Sequence, residues 1–216
     1  MKGVMVINLK TYEEGSGINA LRLAKIADSL GTGVDIILAV QPTDLKTIAE
    51  SVGIRVFSQH VDPIAYGANT GWILPEAVKA AGAKGTLLNH SERRIDIETL
   101  GRSIKRCREI GLNTVACADT PETAERIARL KPDYIAIEPP ELIGGEISVS
   151  KARPEVITES LEMVGDIPLL CGAGIKNGED VRKAKELGAK GILVASGVVK
   201  SKNPEERIRD LFEGFG

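Results

Sequence analysis

Short apolar runs alternate along the chain with longer segments whose apolar positions recur at helical spacing. The first run is Val4-Met-Val-Ile-Asn-Leu9, and helical spacing follows at Ile18, Leu21, Ala24, Ile26, Ala27 and Leu30 before Gly31-Thr-Gly33 stops it. A second strand is expected over Val34 to Val40, then a helix opened by Pro42 and ending near Gly53. Ile54 to Ser58 is a third strand, leading into a long loop from His60 to Trp72 and a helix over Pro75 to Ala81. Gly85 to Leu88 is the fourth, with a helix over Ile97 to Ile110. Asn113 to Cys117 is the fifth; Thr120-Pro121-Glu122 then supplies an N-cap, a first-turn proline and an acidic first turn. Lys131-Pro132-Asp133 precedes the sixth run, which starts at Tyr134 and ends at Glu138. A helix over Pro154 to Val164, a strand over Ile167 to Cys171, a helix over Gly178 to Leu187, a strand over Gly191 to Ala195 and a helix after Asn203-Pro204 complete the series.

The count is eight strand-then-helix units in 216 residues, about 27 residues each. The strands are apolar throughout rather than alternating, so both of their faces must be covered. This pattern predicts an α/β fold, a (β/α)8 barrel in one compact domain over residues 1–216, shorter than the roughly 250 residues of a typical barrel. A doubly wound open sheet is the structural alternative, but no GxGxxG follows the first strand.

In a barrel the C-terminal ends of all strands meet at one face, where chemistry is assembled. Asn8 and Lys10 stand at that end of the first strand, His90 at the fourth and Glu138 at the sixth. Pro139 and Pro140 bar Glu138 from an immediate helix, and Gly144-Gly145 lets the chain turn sharply, so a carboxylate under a lid is expected. Gly172-Ala-Gly174 and Ala195-Ser-Gly197 are small-residue turns after strands seven and eight, where backbone N–H groups can cradle a phosphate. Each group also has a plainer reading: Lys10 as a solvated lysine, His90 as a cap, Asn8 satisfying a neighbouring strand end, Glu92 paired with Arg93 or Arg94, and Glu138 as a solvated strand-end acid.

Composition narrows the classes. With 28 Lys and Arg against 30 Asp and Glu, nothing in the charge favours nucleic acid or anionic lipid as a partner. No apolar run is long enough to span a membrane, and Met1-Lys-Gly leads straight into a strand without a signal pattern, so a cytoplasmic protein is expected. Cys107, Cys117 and Cys171 lack metal spacing and there are two histidines, which argues for buried reduced thiols and against a structural metal.

Together the strand-end groups suit proton transfer beside a carbonyl. A carboxylate abstracts the carbon-bound proton, an imidazole donates to the oxygen where charge develops, and an ammonium stabilises that charge and a phosphate. No metal or organic cofactor is needed.

Asn8-Leu-Lys-Thr-Tyr12, Asn89-His-Ser-Glu-Arg-Arg94, Ile137-Glu-Pro-Pro-Glu-Leu-Ile-Gly144, Cys171-Gly-Ala-Gly-Ile175 and Ala195-Ser-Gly197, in this order and at these strand ends, closely resemble the triosephosphate isomerase family, and its short archaeal branch in particular. That family is the standard worked example of a Glu base with a neutral His under a closing loop. The resemblance implies interconversion of dihydroxyacetone phosphate and glyceraldehyde 3-phosphate in glycolysis and gluconeogenesis, without a cofactor. It implies Glu138 as base, His90 as electrophile, Lys10 and Asn8 as the substrate-contacting pair, and Glu92 orienting Lys10 and His90. Ile143 and Gly144 of the lid, Gly174, Ala195 and Ser196 are implied as phosphate contacts.

The chain departs from the family in two places. Cys117-Ala-Asp-Thr120 replaces the common Cys-Ile-Gly-Glu, and the lid reads Pro-Pro-Glu-Leu instead of Pro-Val-Trp-Ala. Tyr66-Gly-Ala-Asn-Thr-Gly71 with Trp72 resembles the loop that inserts into a neighbouring subunit, which implies a homotetramer, with a dimer as the alternative. Other phosphate-binding barrels acting on larger sugars, and a phosphate sensor without chemistry, are the rival functions.

Overall fold

The computed structural model describes residues 2–30, 33–142 and 148–216. Eight parallel strands close in sequence order: β1 Val4–Asn8, β2 Asp35–Val40, β3 Arg55–Ser58, β4 Gly85–Leu88, β5 Asn113–Ala118, β6 Tyr134–Ile137, β7 Leu169–Cys171 and β8 Gly191–Val194. β8 pairs back onto β1, from Gly191 opposite Val4 to Val194 opposite Ile7. The expected (β/α)8 barrel is therefore what the chain forms, and not the open sheet.

The helices outside it are α1 Gly17–Leu30, α2 Pro42–Ala49, α3 Pro75–Ala80, α4 Ile97–Ile110, α5 Pro121–Ala128, α6 Val149–Ala152, α7 Pro154–Val164, α8 Gly178–Glu186, α9 Ser196–Val199 and α10 Pro204–Glu213. The anticipated cap is present, with the Thr120 hydroxyl accepting the Thr123 N–H at 3.2 Å ahead of Pro121. Two ends differ from expectation by more than one residue. β7 starts at Leu169 rather than Ile167, because Pro168 has no N–H to give the ladder. α2 stops at Ala49, four residues short of Gly53. The short helices α6 and α9, and single 3-10 turns at Glu13–Gly15 and Pro140–Leu142, were not legible in the spacing.

Strand alternation sorts the core into two layers. Val4, Val6, Ile37, Ala39, Phe57, Leu87, Val115, Cys117, Ala136, Leu170 and Leu193 point inward and fill the barrel. Their neighbours, such as Met5, Ile7, Ile36, Leu38, Leu88, Ala116, Ile135 and Ile192, pack outward against the helices. The N-terminal end of the barrel is a polar floor. Arg55 Nε donates to Asp35 Oδ1 at 3.1 Å, and the guanidinium lies 5.7 Å from the Phe57 ring centroid. The Phe57 ring occupies the space beside Gly85, where a Cβ would come within 2.5 Å of it.

Candidate active site

The same alternation carries three side chains past the apolar filling into the barrel mouth: Asn8 follows Val6, Asn89 follows Leu87, and Glu138 follows Ala136. The Glu138 N–H still bonds Ala118 C=O at 2.8 Å, so the ladder holds the residue before Pro139 turns the chain away. The side chain is buried, 3% exposed, and lies directly over Gly172. A Cβ at position 172 would sit 2.3 Å from Glu138 Cγ, so a glycine is required there. Beneath is Cys117. Burial, and then the neighbouring Glu138 carboxylate with which it hydrogen-bonds, push its thiol well above the ordinary range and keep it protonated.

His90 is delivered by Asn89, a left-handed residue at φ 57°. That conformation is held by its own amide: Asn89 Nδ2 donates to Cys117 C=O at 2.9 Å, and Oδ1 accepts the Ile95 N–H at 3.1 Å. His90 is also buried. Its Nδ1 accepts the Glu92 N–H at 3.2 Å, which puts the ring's proton on Nε2. Nε2 lies 3.7 Å from Glu138 Oε1. Both His90 Nε2 and Glu138 Oε2 are buried without a hydrogen-bond partner. Buried polar groups are paired almost without exception, so two orphans on neighbouring side chains mark where a ligand's polar atoms belong.

Lys10 is the third convergent group. It too is left-handed, at φ 49°, a conformation that costs a non-glycine residue energy unless its surroundings impose it. Here both sides of the residue are held: its N–H bonds Asn8 Oδ1 at 3.0 Å, and its C=O accepts from Gln59 Nε2 at 2.8 Å. Lys10 Nζ then reaches Glu92 Oε1 at 2.8 Å.

These groups line a cavity of about 530 Å³, within the range of small-molecule sites. Its opposite wall is Gly172, Gly174 and Ile175 after β7 and Ala195, Ser196 and Gly197 after β8, with Gly174 left-handed at φ 70°. Lys176 and Arg207 add positive charge on that side. Of the residues singled out in the sequence, Lys10, His90, Glu92, Glu138, Gly174, Ala195 and Ser196 share this cavity. Asn8 is buried behind Lys10 and faces a smaller cavity of about 250 Å³ with Gln59, His60 and Arg93. Ile143 and Gly144 lie outside the described residues.

Sequence reading missed Gln59, Cys117 as the floor beneath Glu138, and Arg207. Gln59 could have been found by alternation, two residues after Phe57; nothing local marks Arg207. At the departure after β5, Asp119 pairs with Arg94 at 3.3 Å. Burial raises its carboxyl, but the Thr123 hydroxyl and Arg94 outweigh that and hold it below the usual range.

The family model described as triosephosphate isomerase matches residues 3–212. A curated triosephosphate isomerase of Methanocaldococcus jannaschii is 49% identical, across 97% of this chain and 99% of its own length. Those of Methanothermus fervidus and Archaeoglobus fulgidus are each 46% identical, across 96% and 97% of this chain and 96% of their own lengths. At that identity and over that span, the chain belongs to the triosephosphate isomerase family.

Proposed function

We propose that this chain is an isomerase interconverting dihydroxyacetone phosphate and D-glyceraldehyde 3-phosphate, with Glu138 as the base. The observation that carries the reading is the pair of buried orphaned atoms, His90 Nε2 and Glu138 Oε2, on side chains that line one cavity with Lys10. Glu138 takes a proton from the carbon beside the carbonyl, and the electron pair left behind moves onto the carbonyl oxygen as an enediolate. The neutral His90 donates from Nε2 to that oxygen, while Lys10 stabilises the developing charge. Having given its proton to that oxygen, His90 takes one from the neighbouring hydroxyl, and return of the carbon-bound proton from Glu138 to the former carbonyl carbon completes the exchange of aldose and ketose, with no net gain or loss of atoms. Burial of Glu138 removes water from the base, which raises its reactivity.

The phosphate is assigned to the N–H groups of the Gly174 and Ala195–Ser196 turns, with Ile143 and Gly144 of the lid as further contacts. Glu92 orients Lys10 through its carboxylate and His90 through its backbone N–H. Asn8 acts through Lys10, by holding its strained backbone. Self-association, as a tetramer or a dimer, is supported by the β3–α3 loop. It exposes Tyr66 and Trp72, 77% and 56% accessible, while the cavity beside Asn8 offers a recess behind Lys10. Among the described residues no helix is long and apolar enough to cross a membrane. Three buried cysteines suit a reducing compartment, and we assign the cytoplasm.

Purified protein given D-glyceraldehyde 3-phosphate should form dihydroxyacetone phosphate, and Glu138→Gln should lower kcat by about 1,000-fold while the circular-dichroism spectrum is kept. A Glu138→Gln variant as fast as the parent removes the assigned base; a folded parent with no turnover removes the function.

A further inference from the structure

One buried carboxylate plays no part in that chemistry. Asp180 stands in the first turn of α8 and is 4% exposed. The helix is already capped by Asn177, whose side chain accepts the Asp180 N–H at 3.0 Å. An acid at this position ordinarily reaches back to the cap residue's own N–H. Asp180 instead passes over it: Oδ2 accepts the Lys176 N–H at 3.0 Å. Oδ1 accepts from the Ser148 hydroxyl and the Lys151 ammonium, each at 3.0 Å. The Ser150 hydroxyl donates to the Asp180 C=O at 3.2 Å, and the Val149 N–H to the Ala173 C=O at 3.0 Å. One side chain therefore ties the turn after β7 to α6, about thirty residues earlier in the chain.

The turn is held from its other side as well. Arg207 Nη1 donates to the Lys176 C=O at 2.8 Å, so Lys176 has its N–H fixed by Asp180 and its C=O by α10. Two residues before it is Gly174, left-handed and on the cavity wall. Ser148 and Lys151 offset the Asp180 charge, and Asp180 itself does not line the cavity, so the carboxylate does not oppose an anion there.

We propose that Asp180 is a positioning residue that presets the Gly174–Lys176 turn for a phosphate dianion, and so sets preference for phosphate-bearing over phosphate-free substrates. This rests on the phosphate assignment above. A geometry held within a fraction of an ångström by a supporting layer is what such a site needs, and interactions with a remote phosphate are used at the reacting carbon.

The test compares Asp180→Asn, Asp180→Ala and Ser148→Ala with the parent. Its readouts are kcat/KM for D-glyceraldehyde 3-phosphate, proton exchange of phosphate-free glyceraldehyde in deuterated water, and the dissociation constant of inorganic phosphate by calorimetry. Asp180→Ala should reduce the ratio of the two kcat/KM values roughly tenfold and weaken phosphate binding by a similar factor, the scale of losing charged hydrogen bonds. Asp180→Asn and Ser148→Ala should shift both quantities less, because each keeps part of the network. An unchanged ratio with unchanged phosphate binding overturns the proposal. So does an equal fall for both substrates, which is the signature of a purely structural role. Should Asp180→Ala not fold, Ser148→Ala, which leaves the helix cap intact, decides by the same ratio. A parent that binds phosphate but turns over no triose phosphate refutes the isomerase function instead, and Asp180 is then judged by phosphate binding.

Discussion

The two ends of the barrel are made from the same eight strands, yet they treat polar groups in opposite ways. At the floor, Arg55 is paired with Asp35. Asp133 takes the Asn113 amide at 3.1 Å and the Thr114 N–H at 2.8 Å. No described strand residue there has a buried, unpartnered side-chain atom. At the mouth, His90 Nε2 and Glu138 Oε2 are both left without partners, and His90 Nε2 lies 3.7 Å from Glu138 Oε1. Satisfied groups stabilise the folded state by about 1 kcal/mol each, and orphaned ones cost more than that. The floor is therefore where stability is collected and the mouth is where it is given up, because atoms already paired with protein are unavailable to a ligand.

A matched pair of glycines breaks or sharpens that contrast, and gives the largest expected effect. Gly172→Ala puts a methyl where Glu138 Cγ lies, moving the carboxylate by about an ångström. The expected result is a kcat reduced roughly 100-fold, well beyond what the stability loss of an overpacked site accounts for. Gly85→Ala intrudes on the Phe57 ring and the Asn113 carbonyl at the floor, each 2.5 Å from the added carbon. It should cost about 1–3 kcal/mol in urea unfolding and leave kcat within about twofold. If Gly85→Ala slowed turnover as much as Gly172→Ala did, the division of labour between the ends would be wrong.

The smallest effect concerns the other histidine. His60 sits at the mouth end but behaves like a floor residue, buried and paired through Nε2 with Asp62 Oδ1 at 3.1 Å. Burial lowers its pKa, with Arg93 adding to that and the Asp62 bond partly offsetting it. A histidine whose folded pKa lies below its unfolded value of about 6.5 contributes stability that is present above that pH and lost as pH falls through the folded value. Melting temperature should thus decline as pH falls below about 6.5 in the parent, and less steeply in His60→Gln. Identical slopes in the two proteins would show that His60 is not a source of acid sensitivity.

Much of this was determined locally. Runs of apolar residues, prolines at first helical turns and Thr120 as a cap act over a few positions, so they specify eight strand–helix units before any of them meet. Placing Asn8, Lys10, His90 and Glu138 at strand ends likewise needs only the count of units. Tertiary structure decided what those groups touch. Lys10 reaches Glu92 across 82 positions, Asn8 turns its amide to the Lys10 backbone, and Gly172 makes room for Glu138. Asp180 joins two loops that no spacing relates. Contacts such as these follow from closing the sheet on itself, which brings together residues far apart in the chain, and the energy that selects among them exists only once the barrel has formed.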